Sequence, residues 1–378
     1  MNFSSLSINS VMATMVLAIT LIACSQTQAQ TAPYPQSSAI SGISLDWATH
    51  RRLAPGSDNW PITWADDGHQ YTSWGDGGGF GGTNDLGRES LGVARVEGSA
   101  SSYTGFNRYG GVNQEFPSSI GGKSYGMISI NGTFYMWISP GSDTNNYSEA
   151  RLYYSTNHGS TWTSSNVVWT QSQGVILPTS LQFGQDYAGA RDGYVYLHFI
   201  NLKNSGGLGI QTPGEIVLAR VPVAGILNQG AYEWFSGMNA GAPTWTSNIG
   251  QRQPVFRDTN GIGWTIAVSY NAGLRRYLLT TEHSSSFQGK FGCFDSAEPW
   301  GPWTTVTYMN SFGAPTISAD TFFWNFSNKW MSQNGKQFVM VFSGINSNDS
   351  WNTVEGQFIT TSDVTPPNSP TGLRIVTP

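Results

Sequence analysis

Apolar and polar residues alternate in short runs along this chain, and no stretch of useful length has helical periodicity between about residues 46 and 362. The runs have the length of β-strands, and several flank a turn dipeptide such as Asp67-Gly68 or Asn131-Gly132. A dipeptide of this kind between apolar strands is the strongest short-range signal for a β-hairpin. We predict five hairpins, formed by residues 62–65 with 71–75, 126–130 with 133–138, 185–190 with 194–200, 254–257 with 263–270, and 322–326 with 337–342.

The hairpins recur at intervals of about 60 to 70 residues. Each interval leaves room for two further strands, which is the size of one four-stranded propeller blade. The pattern therefore predicts an all-β chain that folds as a five-bladed β-propeller over residues 46–362. A two-sheet sandwich is the structural alternative, and the even spacing favours the propeller.

Composition agrees with this fold and narrows the function. Aromatic residues make up 13% of the chain and charged residues only 11%, with 45 glycines, which suits many short strands and tight turns. The net charge of −5 includes no basic patch, so we expect no nucleic-acid partner. The five histidines lack the spacing of a zinc site, and we expect no cofactor, no metal and a monomeric chain.

The two ends of the chain predict export and a linker. Residues 11–23 form an apolar run of signal-peptide length, so residues 1–29 are predicted to be a signal peptide, and Cys24 offers an alternative start as a bacterial lipoprotein. The run is too short to cross a bilayer, and we expect no transmembrane segment. Residues 30–45 read as a spacer, and residues 363–378 as a linker that enters a fibronectin type III-like module. The expected location is outside the cell or on its outer surface.

Residues 155–162 resemble the Asp-box of sialidase-type propellers, with Asn157 where aspartate is usual. In those families the box is a turn between the outer strands of a blade. We therefore interpret it as structural, with Trp162 packed inside.

The first hairpin carries the candidate chemistry. Counting outwards from the turn at Asp67-Gly68 places Asp58 and Asp76 opposite each other at its open end, within one residue. Two carboxyl groups that close do not both ionise easily, so the pKa of one should rise. A protonated acid beside a carboxylate is what the cleavage of a glycosidic bond requires. We predict Asp58 and Asp76 as the catalytic pair and leave open which one is the acid.

Other residues are weaker candidates for substrate binding. Trp60, Trp74 and Phe80 could offer flat faces to sugar rings. Asp186 is predicted to lie on an inner strand of the third blade. Arg252 and Asp320 are predicted to precede the inner strands of the fourth and fifth blades. Each of these six is a binding candidate, with a core or loop role as the alternative.

The run Asp-Asn-Trp-Pro-x-Thr-Trp at residues 58–64, followed by Tyr-Thr-x-Trp-Gly-Asp-Gly-x-Gly-Phe at residues 71–80, resembles the opening blade of the DUF4185 family. The resemblance implies a five-bladed propeller, and some members of that family are endo-acting D-arabinan hydrolases. Their paired catalytic aspartates would correspond to Asp58 and Asp76. The predicted function is a secreted glycoside hydrolase acting on an extracellular polysaccharide, with arabinan as a candidate substrate. A non-catalytic carbohydrate-binding propeller is the alternative, and a polysaccharide lyase is disfavoured.

Overall fold

A computed structural model of the chain describes residues 30–141, 147–203 and 209–360. The predicted signal peptide, Cys24 and the predicted linker lie outside these residues. The described chain is all-β, with 22 strands and six short 3-10 segments but no α-helix. No helix in these ranges has the length and apolar character needed to span a bilayer.

The strands in chain order are β1 (Ile40–Leu53), β2 (Ile62–Trp64), β3 (Gln70–Trp74), β4 (Gly92–Ser99), β5 (Ser102–Tyr109), β6 (Gly122–Ile130), β7 (Thr133–Pro140), β8 (Glu149–Ser155), β9 (Thr163–Thr170), β10 (Val175–Ser180), β11 (Tyr194–Asn201), β12 (Gly214–Pro222), β13 (Glu233–Asn239), β14 (Ala242–Thr246), β15 (Pro254–Asp258), β16 (Ile266–Asn271), β17 (Arg276–Glu282), β18 (Phe291–Ser296), β19 (Thr304–Met309), β20 (Thr321–Phe326), β21 (Gln337–Gly344) and β22 (Trp351–Thr360). The 3-10 segments are Gln171–Gln173, Gln185–Tyr187, Val223–Gly225, Gln229–Ala231, Ile249–Gln251 and Asn346–Asn348.

These strands form five sheets, which are the five blades of a β-propeller. Blade 1 contains β2–β5, blade 2 contains β6–β9, blade 3 contains β10–β15, blade 4 contains β16–β19, and blade 5 contains β20–β22 together with β1. The inner strands β2, β6, β10, β16 and β20 contact their neighbours around the central axis. We call the side where these inner strands begin the upper face, and the side where they end the lower face. The predicted fold class is confirmed.

The ring is closed by the first strand of the chain. β1 pairs antiparallel with β22, from Ile40 opposite Thr360 to Leu53 opposite Trp351. Part of the segment predicted as a spacer, residues 30–45, is therefore strand, and the propeller begins before residue 46. The error has a plain cause, because a closing strand pairs about 300 residues away along the chain, and no local turn signal marks it.

Three of the five predicted hairpins are present, at residues 62–74, 122–140 and 321–344. The third predicted hairpin was wrong in its first strand. The inner strand of blade 3 is β10, whereas residues 185–187 form a 3-10 turn. The fourth was also wrong. β15 pairs with β12 inside blade 3, whereas the inner strand of blade 4 is β16, which pairs with β17.

Three aromatic residues predicted to face a sugar are instead part of the core. Trp60 and Trp74 are 0% exposed and Phe80 is 9% exposed. Together with Trp351 of blade 5 they form one cluster, in which the ring centroids of Trp60 and Trp351 are 5.4 Å apart. A fully buried indole cannot stack on a ligand, so we withdraw all three residues as binding candidates.

Residues 155–162 lie between β8 and β9, the two outer strands of blade 2. The Nε1 of Trp162 donates to the carbonyl of Gly159 at 3.2 Å, and the ring packs partly buried against the blade 1–blade 2 core. The segment forms a turn at the predicted place.

Candidate functional site

Asp58 and Asp76 lie together at the upper end of the hairpin formed by β2 and β3. Asp58 and Gly75 exchange both backbone hydrogen bonds, at 3.0 and 2.9 Å. Asp58 is therefore directly opposite Gly75, and Asp76 is the next residue, so the predicted juxtaposition holds within one residue. The backbone of Asp76 has a φ of +55°, which aspartate tolerates better than most residues.

Gly75 leaves the room that this arrangement needs. A Cβ atom on Gly75 would lie 3.3 Å from Oδ1 of Asp58 and 3.3 Å from Nζ of Lys123, and closer still to the Lys123 side chain. The carboxyl group of Asp58 and the ammonium group of Lys123 thus both lie close to Gly75, where a larger residue would displace them.

Asp76 is paired with two cations from different parts of the chain. Its Oδ1 accepts from Nζ of Lys123, at the start of β6 in blade 2, and lies 3.1 Å from Nη2 of Arg88. The Lys123 side chain is only 11% exposed, whereas that of Asp76 is 32% exposed. The carboxylate is thus anchored on its protein side and open on the other.

Asp58 has the opposite environment. Burial and, after it, the nearby Asp76 carboxylate raise its pKa to about 8, while Lys123 opposes the shift. Its carboxyl group makes no hydrogen bond with any described residue, although its backbone is fully paired. Asp58 is therefore a carboxylic acid that is mostly protonated at neutral pH.

A third acid, Asp349, approaches the pair from blade 5. Burial and the Asp76 carboxylate raise its pKa to about 6, while Arg88 and Arg52 oppose the shift. It reaches blade 1 through its carbonyl, which accepts from the Gly56 N–H at 2.8 Å.

Asn59 fixes the loop that carries Asp58. Its backbone N–H donates to Oγ of Ser343 in blade 5 at 2.9 Å, and its side-chain amide donates to the carbonyl of Ser124 in blade 2. The residue has a φ of +61°, a conformation that asparagine adopts more readily than most side chains. Blades 5 and 2 thus hold the loop from both sides.

Aromatic residues line the upper mouth of the channel beside Asp58. Tyr125 is near enough to Asp58 for that carboxylate to help raise the tyrosine pKa, after burial and Tyr147. Its ring centroid is 5.4 Å from that of Tyr147 and 6.3 Å from that of Trp264, which in turn packs against Phe287. Tyr147 and Phe287 are partly exposed, whereas Tyr125 and Trp264 are buried.

Four buried polar atoms at this mouth lack a hydrogen-bond partner within the described chain. They are Oδ1 of Asn59, the hydroxyl of Tyr125, Nε1 of Trp264 and Oγ1 of Thr265, and their residues line one narrow cavity on the axis. Buried polar groups in folded proteins almost always have a partner. The cavity has no space for a water molecule, so these atoms form an unsatisfied polar cluster and not a ligand pocket.

Asp186 is not at this site. It belongs to the 3-10 segment that follows β10 on the lower face, where its Oδ1 accepts from Oγ of Ser129 at 2.7 Å and its Oδ2 from the Gly132 N–H at 3.0 Å. The predicted position on an inner strand was wrong, because a residue with a φ of +51° cannot continue a strand.

Arg252 and Asp320 lie on the upper face, but their side chains form hydrogen bonds within the protein. Arg252 precedes β15 of blade 3, not the inner strand of blade 4 as predicted, and its Nη2 donates to Oδ1 of Asn201 at 2.8 Å. Asp320 does precede the inner strand β20, and its Oδ2 accepts from the side chain of Asn346 at 3.1 Å.

Two aspartates and one histidine on the lower face could together hold a metal ion. Asp66, Asp67 and His158 place their ligand atoms within 4.8 Å of one another on the lower face. The group is largely exposed and its atoms already bond within the protein: Nε2 of His158 is 2.7 Å from Asp66, and Asp67 accepts from the hydroxyl of Tyr71. No cofactor is required by this geometry.

Comparison with known proteins identifies the family. The model of the DUF4185 family, a domain of unknown function, matches residues 119–322, which is more than half of the chain. No curated protein sequence matches. The matched range does not include residues 58–80, on which the sequence resemblance rested.

The chain is also similar, at low sequence identity, to several solved structures. A presumed hydrolase from Bacteroides ovatus ATCC 8483 is 13% identical, with a TM-score of 0.51 over 81% of this chain and 86% of its own. A GH43_1 enzyme from Xanthomonas citri is 14% identical, with a TM-score of 0.48 over 85% and 90%. A GH43 endo-arabinanase from Bacillus licheniformis is 13% identical, with a TM-score of 0.44 over 80% and 95%.

At 13% identity, the Bacteroides ovatus structure supports the propeller fold alone. The family match covers all of blades 2 to 4, and it confirms the family predicted from the sequence. The chain belongs to the DUF4185 family.

Proposed function

We propose that this protein is a secreted glycoside hydrolase that cleaves an extracellular polysaccharide at the upper face of the propeller. One observation carries the proposal: Asp58 is an unbonded carboxyl group with a raised pKa, and the neighbouring Asp76 is paired with two cations. Two carboxyl groups whose surroundings favour opposite protonation states provide the acid and the carboxylate that this reaction needs.

The environments assign the roles that the sequence left open. Asp58 donates its proton to the glycosidic oxygen as the bond to the anomeric carbon breaks. Asp76 acts on the opposite side of the sugar ring, either by taking a proton from the attacking water or by attacking the anomeric carbon itself. Its open side faces away from Lys123 and Arg88, which hold the carboxylate in place.

The channel mouth supplies surfaces suited to a sugar. Tyr147 and Phe287 are partly exposed rings, which can pack against the apolar faces of a carbohydrate. These residues take the role that the sequence analysis gave to Trp60, Trp74 and Phe80.

The substrate we would test first is a D-arabinan, because of the resemblance of residues 58–80 to a family with such hydrolases. Export is supported by the apolar run at residues 11–23. A monomer acting outside the cell, free or lipid-anchored, is the arrangement we expect.

The test is hydrolysis of a glycan panel by the wild type, Asp58→Asn and Asp76→Asn, with released reducing ends as the readout. We expect the wild type to cleave at least one arabinan and each variant to lose about 10³-fold in kcat, since general acid–base groups contribute about 10²–10⁴-fold. Asp320→Asn is the matched control, because it also changes an upper-face aspartate but one bonded within a loop.

Activity that survives both substitutions would remove Asp58 and Asp76 from the reaction. Glycan binding without turnover by the wild type would instead favour a non-catalytic carbohydrate-binding propeller, the alternative kept from the sequence.

A further inference from the structure

A wide cleft lies away from the candidate site, between blade 5 and blade 1 on the lower half of the propeller. Its volume is about 760 Å³, within the range of pockets that bind small ligands. Its polar and aromatic lining includes Asp46, Lys329, Trp330, Gln337, Glu355 and Gln357.

One wall of this cleft is the lower half of the blade 5 sheet, formed by β1, β22 and β21. The turn between β4 and β5 of blade 1 and residues 329–332 complete the lining. Trp351 and Val341, towards the upper half of blade 5, pack into the aromatic cluster of blade 1. The lower half of the same sheet extends past that cluster and remains uncovered.

Three polar side chains on the uncovered half have hydrogen-bonding groups that the protein does not use. Gln337 is paired in register with Gln357, and Glu355 lies two residues before Gln357 on the same face of β22. None of these three side chains forms a hydrogen bond or ion pair with any other described residue. Directly opposite side chains in a sheet are about 4.5–5.5 Å apart, so the two amides form a compact recognition surface.

Trp330 supplies a rigid aromatic wall. Its Nε1 donates to the carbonyl of Gly98 at 3.3 Å, and its ring packs against that of Tyr103 with centroids 5.0 Å apart. Tyr103 is itself held by hydrogen bonds to Thr353 and Trp351. The indole is thus fixed from one side, and a fixed ring costs little entropy when a ligand packs on it.

We propose that this cleft is a second carbohydrate-binding site, which takes a short neutral oligosaccharide. Amides and carboxylates can form hydrogen bonds with sugar hydroxyls, and an indole can pack against the apolar face of a sugar ring. The carboxylates of Asp46 and Glu355 outnumber the single cation, Lys329, which disfavours anionic ligands. The inference stands on the cleft alone and does not require Asp58 and Asp76 to be catalytic.

The experiment measures binding of neutral oligosaccharides from arabinan, xylan and cellulose by isothermal titration calorimetry. The full-length protein is used with Asp76→Asn as the background, so that turnover does not consume the probe. Adding Trp330→Ala should weaken binding of at least one oligosaccharide at least 10-fold or remove one site per chain. Adding Phe106→Ala, which removes an exposed aromatic on blade 1 outside the cleft, should leave binding unchanged within about 2-fold.

A second variant guards against misfolding. Gln337→Ala with Gln357→Ala changes two exposed side chains without touching the core, and it should weaken the same binding while circular dichroism stays unchanged. Binding that is unaltered by both variants, or absent for every probe in the parent, overturns the proposal.

The two proposals fail separately. If no glycan is cleaved but oligosaccharide binding still depends on Trp330, the second binding site is supported and the hydrolase proposal is wrong. If turnover depends on Asp58 and Asp76 but no binding depends on Trp330, the hydrolase proposal is supported and the second binding site is wrong.

Discussion

The first hairpin carries aspartates at both ends, and the two ends differ in what surrounds those acids. On the lower face, Asp67 accepts from the His69 N–H and the Tyr71 hydroxyl. On the upper face, the carboxyl group of Asp58 accepts no hydrogen bond from any described residue, and its pKa is raised.

Acidic residues alone therefore do not mark a site in a β-propeller. Turns favour aspartate for its own local hydrogen bonds, as at Asp67 and Asp192, which accept from the backbone two residues further on. The distinguishing feature is a carboxyl group held in place by its backbone while its side chain is left without a partner.

The largest expected difference between the two ends is in catalysis. Asp76→Asn should lower kcat about 10³-fold, equivalent to about 4 kcal/mol of activation free energy. Asp67→Asn on the lower face should change kcat less than about 3-fold. Both variants are measured on the same arabinan under saturating substrate, and equal losses would show that the difference in environment has no catalytic meaning.

The next largest effect is on stability, and it belongs to the lower face. Asp186→Ala removes acceptors for Ser129 and Gly132 and places alanine at a φ of +51°. We expect a loss of about 2 kcal/mol in the free energy of unfolding, measured in urea, with kcat unchanged. Asp186→Asn, which tolerates that conformation, should lose less.

Asp58→Asn should act in the opposite direction. Because the folded pKa of Asp58 is about 8, well above its ordinary value near 3.8, the native state binds the extra proton and loses stability as pH rises from about 4 to 8. A neutral asparagine avoids this loss. The variant should be about 1 kcal/mol more stable than the wild type at pH 8 and no more stable at pH 4, a modest figure because the group is partly exposed.

The smallest effect concerns the pH profile. Turnover needs protonated Asp58, so kcat should fall as pH rises through about 8. Lys123 lowers the pKa of Asp58, and Lys123→Gln should therefore move the alkaline limb of the kcat profile to higher pH, besides lowering kcat. A limb that moves downwards, or does not move, would contradict the assigned role of Asp58. Lys290→Gln on blade 4 is the control.

Sequence reasoning succeeded where the signal is local. The register of the first hairpin follows from one turn dipeptide, so the approach of Asp58 to Asp76 was predicted within one residue. It failed where the partner is distant, as for β15, which pairs with β12 about 40 residues upstream.

The burial of Trp60 and Trp74 could not be predicted either, since it depends on Trp351 across the ring closure. Lys123 and Asp349 were missed for the same reason. Lys123 had one usable signal, namely its place at the start of an inner strand on the upper face. Asp349 had none, because it precedes an outer strand of the last blade.

The closing strand β1 gives the protein a particular order of assembly. Asp58 follows β1 by five residues, and Asp349 precedes the β22 strand with which β1 pairs. Because β1 has no partner until β22 is made, the ring cannot close before the strands between them have been synthesised. Asp58 and Asp76 can approach each other as soon as the hairpin of β2 and β3 forms, but Asp349 joins them only when the ring closes.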